Sequence, residues 1–400
     1  MPKQPQRKRT EDDAIDLANM GVQLERLRIG IVGAGRMGRI RSLSARAHPQ
    51  TEVVAVVDTV AEHARSLAAE ILCDAGTEWQ DLLGRKDIDA IVVATPHKYL
   101  APISAAALNA GKYVFCEKPG ARNAAEAKVV LKAAYGSSHS NEGSSAFTSR
   151  DNCRLTIGFT LRHYPGIAHA HTLMAAGAIG EPMYIRARYG HGGRPDYNLE
   201  WRGDPEMAGG GELLDQGVHL IDLSRWFLGE FEEVFGSIGT YFWGSEPDSS
   251  SRNIEDNAFI SLRTETGKIA WLHASWTQWK NLFSFEIYGE EGSLQINGLA
   301  GHYGPQQLQV ARRRSQGGPP EVKEMDFSSD SEQGDVWTQE WAAFVSRVLG
   351  GKETRNSNDS FRSASCADAW EALKVVEAAY EASRTRNVVT LHQLASISSE

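Results

Sequence analysis

LRIGIVGAGRMGRIRSLSARA, residues 27–47, is an apolar run of β type that breaks into glycines and continues as a helix-forming segment. Its centre, GAGRMG, sets Gly33, Gly35 and Gly38 in GxGxxG spacing between a strand and a helix, with Arg36 and Met37 inside the turn. Glycine there permits a tight turn and close approach of the backbone to a ligand. The amides that open the helix attract an anionic pyrophosphate. The spacing alone is a weak signal; the strand before it, the helix after it and an acid further on make it strong. That acid is Asp58, which closes a second strand, TEVVAVVD. An acid at this place accepts hydrogen bonds from the ribose hydroxyls of NAD and repels the 2′-phosphate of NADP. Arg36 and Arg39 lie close enough in sequence to keep NADP open as an alternative.

Working outward, strands and helices keep alternating. VAEHARSLAAEI reads as a helix, AIVVATP as a buried strand, YLAPISAAALNAG as a helix stopped by Gly111, and KYVFCEKP as a strand ending at Pro119. ARNAAEAKVVLKAAYG is a further helix and RLTIGFT a further strand. This alternation predicts an α/β fold with a doubly wound parallel sheet. Residues 136–152, GSSHSNEGSSAFTSRDN, form a polar insert rich in Ser and Gly, and residues 1–26 read as an extension with a short helix near 13–26. After residue 160 the pattern becomes β-rich. MYIRARYGH, EVFGSIGTYFW, NAFISLRT, KIAWLHASWTQW, LFSFEIYG and GSLQING are separated by turns such as TETGK and GEEGS. They predict a large, open, mostly antiparallel sheet. SASCADAWEALKVVEAAYEASRT is a closing helix. The expected organisation is an extension (1–26), a nucleotide-binding domain (27–160) and an α+β domain for substrate and oligomer contacts (161–400).

Composition narrows the function. A net charge of −9 argues against a nucleic-acid partner, which leaves a basic footprint. No apolar run reaches the roughly 18 residues of a membrane helix, and RKR near the start lacks the apolar stretch of a secretory signal. Cys73, Cys116, Cys153 and Cys366 are scattered, which suits reduced thiols in a cytoplasmic protein and neither a disulfide framework nor a zinc site. No cluster has metal-ligand spacing, so no metal is expected.

Two further stretches carry chemistry. In GGGELLDQGVHLID, residues 209–222, helical spacing puts Asp215, His219 and Asp222 on one face and Leu213, Leu214, Val218, Leu220, Ile221 and Leu223 on the other. By itself that polar stripe is either a reactive face or a solvated one. In CEKP, Glu117 and Lys118 end a strand of the parallel sheet, where ligands of such sheets sit. Either Lys118 points at the reacting end of the cofactor, or the two residues form a surface ion pair.

GAGRMG, ATP, AGKYVFCEKP, GFTLRHYP and GGGELLDQGVHLID occur in an order and spacing that resemble the Gfo/Idh/MocA family of sugar and cyclitol oxidoreductases, from about residue 27 to the C-terminal helix. The resemblance implies a Rossmann domain followed by an α+β domain whose sheet often forms the oligomer interface. It implies NAD or NADP held by Gly33, Gly35, Arg36, Met37, Gly38, Asp58, Ala94, Thr95, Pro96, His97, Glu117 and Lys118. It places Lys118 on the reacting oxygen, His219 as proton acceptor and donor, and Asp215 beside them to orient His219 or hold a hydroxyl. The glycines before Asp215 are then expected to let the chain approach the ligand. The chain departs from the family's ATPxxxH pattern, with Leu100 where the histidine stands and His97 directly after Pro96.

Arg162 and Tyr164 of GFTLRHYP, and Arg194, Trp201 and Arg202 of the loop YGHGGRPDYNLEWRGDPE, are candidate substrate contacts, the arginines suited to a carboxylate or phosphate. Asp222 reads as a helix-face acid near Arg225. Alternation in WLHASWTQW puts Trp271, His273, Ser275, Thr277 and Trp279 on one sheet face and Leu272, Ala274, Trp276 and Gln278 on the other. A sheet with aromatics on both faces needs cover on both, so a homo-oligomer, dimer or tetramer, through this sheet is expected. The activity expected is hydride transfer between nicotinamide and a secondary hydroxyl of a sugar, sugar acid or inositol. A redox-neutral elimination or glycoside cleavage with retained NAD, and a non-catalytic NAD(P)-binding sensor, are the alternatives.

Overall fold

The computed structural model describes residues 26–135, 153–243, 254–327, 335–349 and 363–392. The expected extension up to residue 25 and the insert 136–152 lie outside the described residues. Strands as uniformly apolar as Ile29–Val32 and Ala90–Val93 can sit only between two covering layers. They form the centre of a six-stranded parallel sheet: β1 (Leu27–Val32), β2 (Thr51–Val57), β3 (Asp74–Gly76), β4 (Ala90–Val93), β5 (Tyr113–Glu117) and β6 (Leu155–Gly158), in the order β3-β2-β1-β4-β5-β6. The crossovers run through α1 (Arg36–Ala47), α2 (Ala61–Ile71), α3 (Gln80–Leu83), α4 (His97–Asn109) and α5 (Ala124–Tyr135). Strand order reverses between β1 and β4, which opens a crevice at the carboxyl ends of the strands.

The second sheet is larger. β7 (Pro182–Gly190), β8 (Glu233–Gly239), β9 (Asn257–Arg263), β10 (Ile269–Ser275), β11 (Leu282–Gly289), β12 (Gly292–Asn297), β13 (Gln307–Arg312), β14 (Glu321–Asp326) and β15 (Val389–Thr390) run in the order β14-β13-β12-β11-β7-β10-β9-β8-β15. Every pairing is antiparallel except β7 with β10. α6 (Pro165–Ala175), α7 (Pro205–Ala208) and α8 (Val218–Leu228) lie between β6 and β8 in the chain, with α9 (Val336–Leu349) and α10 (Cys366–Thr385) near its end. Of these, α6, α8 and α10 lie against the large sheet.

The opposite sheet face keeps apolar side chains in solvent. Phe235, Phe259 and Trp271 are 46%, 44% and 65% exposed, while Ala270, Leu272 and Ala274 between them on the other face are buried. β10 ends at Ser275, and past it Trp276 is still buried like Leu272 and Ala274, and Trp279 exposed like Trp271. Trp276 turns inward against Tyr197, and Trp279 stands exposed, edge-on to Phe242.

The chain also returns to the parallel sheet. Trp341, Phe344 and Val345 of α9 join a core with Ile29, Ile31, Val92 and Phe115. Behind the crevice, the fully buried Arg41 of α1 reaches Glu117 Oε1 and Glu340 Oε2, both at 2.7 Å. One guanidinium thus joins α1, the end of β5 and α9. Burial pushes the Glu117 carboxyl up, and Arg41 opposes that rise. Removing the cation from such a cluster leaves uncompensated buried charge. Arg41→Met should lower unfolding stability by about 3–5 kcal/mol in urea titrations. A loss below about 1 kcal/mol would mean that the cluster does not hold these elements together.

Candidate functional site

A cavity of about 1640 Å³ opens at the crevice, above the roughly 300–1,000 Å³ of an ordinary small-ligand pocket. One end is the glycine turn. A Cβ on Gly38 would lie 1.8 Å from Gly33 O, so only glycine lets the turn fold under α1. A Cβ on Gly35 would meet nothing within 4 Å, which leaves room for a ligand against the helix amides. Arg36, Met37 and Asp58 line this end. The Asp58 carboxylate also accepts the backbone N–H of Ala34 at 2.8 Å and of Val60 at 2.9 Å, bracing the glycine turn. Arg39 is taken by Glu70, at 2.6 Å. These features fit a dinucleotide.

Ala94, Thr95, Pro96 and His97 follow β4 along the cavity wall. His97 is not a free ligand. Its Nδ1 lies 2.8 Å from Ala208 O, its ring meets Trp201 edge-on at 4.8 Å, and burial, aided by the charge of Lys118, pushes it down to about 3.

β5 delivers Glu117 and Lys118 to opposite surroundings. The surface ion pair between them does not exist, since Glu117 goes to Arg41. Lys118 Nζ donates to the backbone oxygen of Asp215 at 2.6 Å and to its carboxylate. Arg202 Nε donates to the other carboxylate oxygen at 3.0 Å, with its guanidinium 4.4 Å from the Trp201 ring. Burial works to raise the Asp215 pKa, but the two cations outweigh it and hold the carboxyl well below its usual range. Arg202 is therefore committed to Asp215 rather than poised for a substrate anion.

Asp215 lies on a π-helical turn, Leu213–Gly217, and His219 on the first turn of α8 that follows it. Both line the cavity. The regular helix expected from the spacing is replaced at its start by this wider turn, a form that recurs at functional sites. No hydrogen bond joins Asp215 to His219 among the described residues, so the acid orients cations and not the imidazole. His219 is pushed down to about 3, by burial first and then by Lys118, and its Nδ1 has no hydrogen-bond partner. Gln216 Oε1 is likewise buried without a partner, on a residue that lines the cavity.

The glycines before this turn approach the protein and not the ligand. A Cβ on Gly211 would lie 2.0 Å from Glu255 O. The half-buried Glu255 carboxylate accepts Gly211 N at 2.9 Å, Leu213 N at 3.2 Å and Tyr380 Oη–H at 2.7 Å, clamping the turn from behind.

One expected contact falls elsewhere. Arg162, 1% exposed, does not line the cavity; it pairs with Asp222 and Asp368 inside the core. Asp222 therefore answers to Arg162, while Arg225 pairs with Glu230. Arg194 stays on the cavity rim, exposed and paired with Glu200, and Tyr164 lines the wall. Tyr189, His191 and Tyr303 also line it. Tyr189 and His191 stood in stretches already read as a strand and a polar loop, whereas Tyr303, on a short 3₁₀ turn, carried no spacing signal. Among the described residues no group of His, Cys, Asp and Glu could hold a metal ion, and no helix is long and apolar enough to cross a membrane.

Comparison with known proteins places the chain. Residues 27–139 match the oxidoreductase family model with the NAD-binding Rossmann fold, and residues 167–295 match the Gfo/Idh/MocA C-terminal domain. Levoglucosan dehydrogenase of Pseudarthrobacter phenanthrenivorans is 29% identical over 68% of this chain and 74% of its own. The 1,5-anhydro-D-fructose reductase of Ensifer adhaerens is 30% identical over 67% and 74%. The crystal structure of an oxidoreductase domain protein from Kribbella flavida superposes with a TM-score of 0.75, at 26% identity over 92% of this chain and 99% of that one. The chain belongs to the Gfo/Idh/MocA family of oxidoreductases, and its parallel sheet is an NAD-binding Rossmann fold.

Glu255→Ala leaves two backbone amides and a tyrosine hydroxyl without their acceptor. It should cost about 2 kcal/mol of stability and lower kcat more than it changes KM, with Glu255→Gln recovering part of both. Unchanged kcat in a folded Glu255→Ala protein would show that the clamp does not position Asp215 and His219.

Proposed function

We propose that this protein is an NAD-dependent dehydrogenase acting on a secondary hydroxyl of a sugar or cyclitol, with Lys118, Asp215 and His219 at the reacting centre. The observation that carries the reading is the meeting, in a dinucleotide-sized cavity, of a fixed ammonium group and a buried neutral imidazole. Bound nicotinamide supplies the hydride acceptor. His219, uncharged, accepts the hydroxyl proton as the C–H bond breaks. Lys118 donates a hydrogen bond to the oxygen as it passes through alkoxide character to a carbonyl. Asp215 holds Lys118 in place, and Arg202 holds Asp215. The unpartnered atoms of Gln216 and His219 suit a ligand with several hydroxyls, since a buried polar atom left without a partner is costly. Relatives named for levoglucosan and for 1,5-anhydro-D-fructose agree with that substrate class. Asp58, beside the glycine turn, favours NAD over NADP.

In this reading residues 27–160 bind the nucleotide and residues 161–400 bind the substrate, with α9 packed back on the first sheet. Four unbridged cysteines suit a reducing compartment such as the cytoplasm. The exposed face carrying Phe235, Phe259 and Trp271 is a subunit contact. Sedimentation at micromolar concentration should then give a dimer or larger, and a monomer alone would remove that part of the reading.

The direct test mixes the protein with NAD and a panel of inositols, anhydro-sugars, aldoses and uronic acids, and follows reduced-nicotinamide absorbance. A signal is expected, lowered about 10²–10⁴-fold in Lys118→Ala. Substrate conversion without net reduced nicotinamide would replace the dehydrogenase with a redox-neutral enzyme.

The pH profile separates His219 from an ordinary histidine. A lowered pKa keeps the base unprotonated to lower pH, so kcat/KM for oxidation should not fall near 6.5, and its acidic limb should lie below about pH 5. A limb centred near 6.5 would mean that burial does not hold His219 neutral.

A further inference from the structure

Cys153 lies just before β6 at the edge of the parallel sheet, and Cys366 opens α10, 213 residues further on. The sequence gives no reason to pair them. In the fold their sulfurs are 3.1 Å apart, and both residues are buried, 6% and 2% exposed. Neither lines the cavity.

The contact is fixed from three directions. Ile157 N donates to Ala364 O at 2.9 Å, which registers the two segments. Ser365 caps α10 through a reciprocal pair of bonds with Asp368. Arg347 of α9 donates to Cys153 O at 2.9 Å. The other two cysteines lie apart from any thiol: Cys73 meets the backbone oxygen of Asp74, and Cys116 that of Glu117 and the Ser104 side chain.

The two thiols are also unlike. The hydrogen bond from Cys366, with the charge of Arg347 adding to it, outweighs burial and draws the Cys153 thiol down. Burial pushes Cys366 well up. The thiolate is the nucleophile in thiol chemistry, so Cys153 is the attacking sulfur and Cys366 the resolving one.

We propose that Cys153 and Cys366 are a peroxide-oxidisable pair that closes to an intramolecular disulfide between the edge of the parallel sheet and α10. Cys153 sulfur attacks one oxygen of hydrogen peroxide. The O–O bond breaks, water leaves, and a sulfenic acid remains. Cys366 sulfur then attacks Cys153 sulfur. The S–O bond breaks, and its oxygen leaves as a second water with the Cys366 proton. One peroxide takes two electrons and two thiols become one disulfide. In a reducing compartment the pair rests as thiols. Oxidation would close a long loop, restrict the unfolded chain and raise the melting temperature.

The test uses the full chain, reduced, desalted and treated with limited hydrogen peroxide, then mapped by mass spectrometry without reduction. Free thiols should fall from four to two, with a cross-linked peptide pair holding Cys153 and Cys366 at a mass two hydrogen atoms lower. A dithiol reductant should restore both thiols and remove the rise in melting temperature. In Cys366→Ser, Cys153 should stay as a sulfenic acid that a dimedone probe labels. The proposal is overturned if both thiols survive, if Cys153 reaches sulfinic acid without cross-linking, or if the cross-link joins other cysteines. The wild-type map decides this even if the variant does not fold.

Discussion

The Asp215 carboxylate, held between Lys118 and Arg202, is the constraint on which the rest of the site depends. Lys118 comes from the end of the parallel sheet, Asp215 from the turn before α8, and Arg202 from the loop between β7 and α8. A carboxylate as buried as that of Asp215 is tolerated only when paired and hydrogen-bonded. The three contacts tie the end of β5, the turn before α8 and the loop that carries Arg202 to one another. The same cluster sets the state of its neighbour. The charge of Lys118 adds to burial in keeping His219 unprotonated. In the proposed reaction, the lysine that would face the reacting oxygen thereby also helps keep the imidazole neutral.

A second cluster stands behind the first. Glu117 and Lys118 are consecutive, and successive side chains leave an extended chain in opposite directions. Glu117 meets Arg41 and Glu340 on one side, and Lys118 meets Asp215 on the other. The CEKP stretch is thus a hinge pin between two buried ionic groups. The substrate side has its own support in Glu255, which pins the amides of Gly211 and Leu213. Backing of this kind favours one placement of Asp215 and His219 before a ligand arrives.

What was legible in the sequence was local. GAGRMG between a strand and a helix, with Asp58 after the next strand, specifies its own geometry over some 30 residues, and the parallel sheet follows from it. Lys118, Asp215 and His219 stood out through motif resemblance, and the fold brings them to one cavity. What was missed depends on distant partners. Arg162 looked like a cleft residue because nothing near it in sequence showed that Asp222 and Asp368 would enclose it. The Cys153–Cys366 contact and the return of α9 to the first sheet span long separations that no periodicity records. The π turn at Leu213–Gly217 was hidden for another reason: helical spacing does not distinguish a regular turn from a widened one.

In the proposed reaction Lys118 and Asp215 act as one unit, and a double-mutant cycle tests that most directly. Rates of reduced-nicotinamide formation would be compared for the wild type, Lys118→Met, Asp215→Asn and the double variant, each checked for folding. Residues acting as a unit are strongly non-additive. The double variant should lose no more rate than the worse single one. Losses that multiply, with each substitution acting as though the other were absent, would contradict the account.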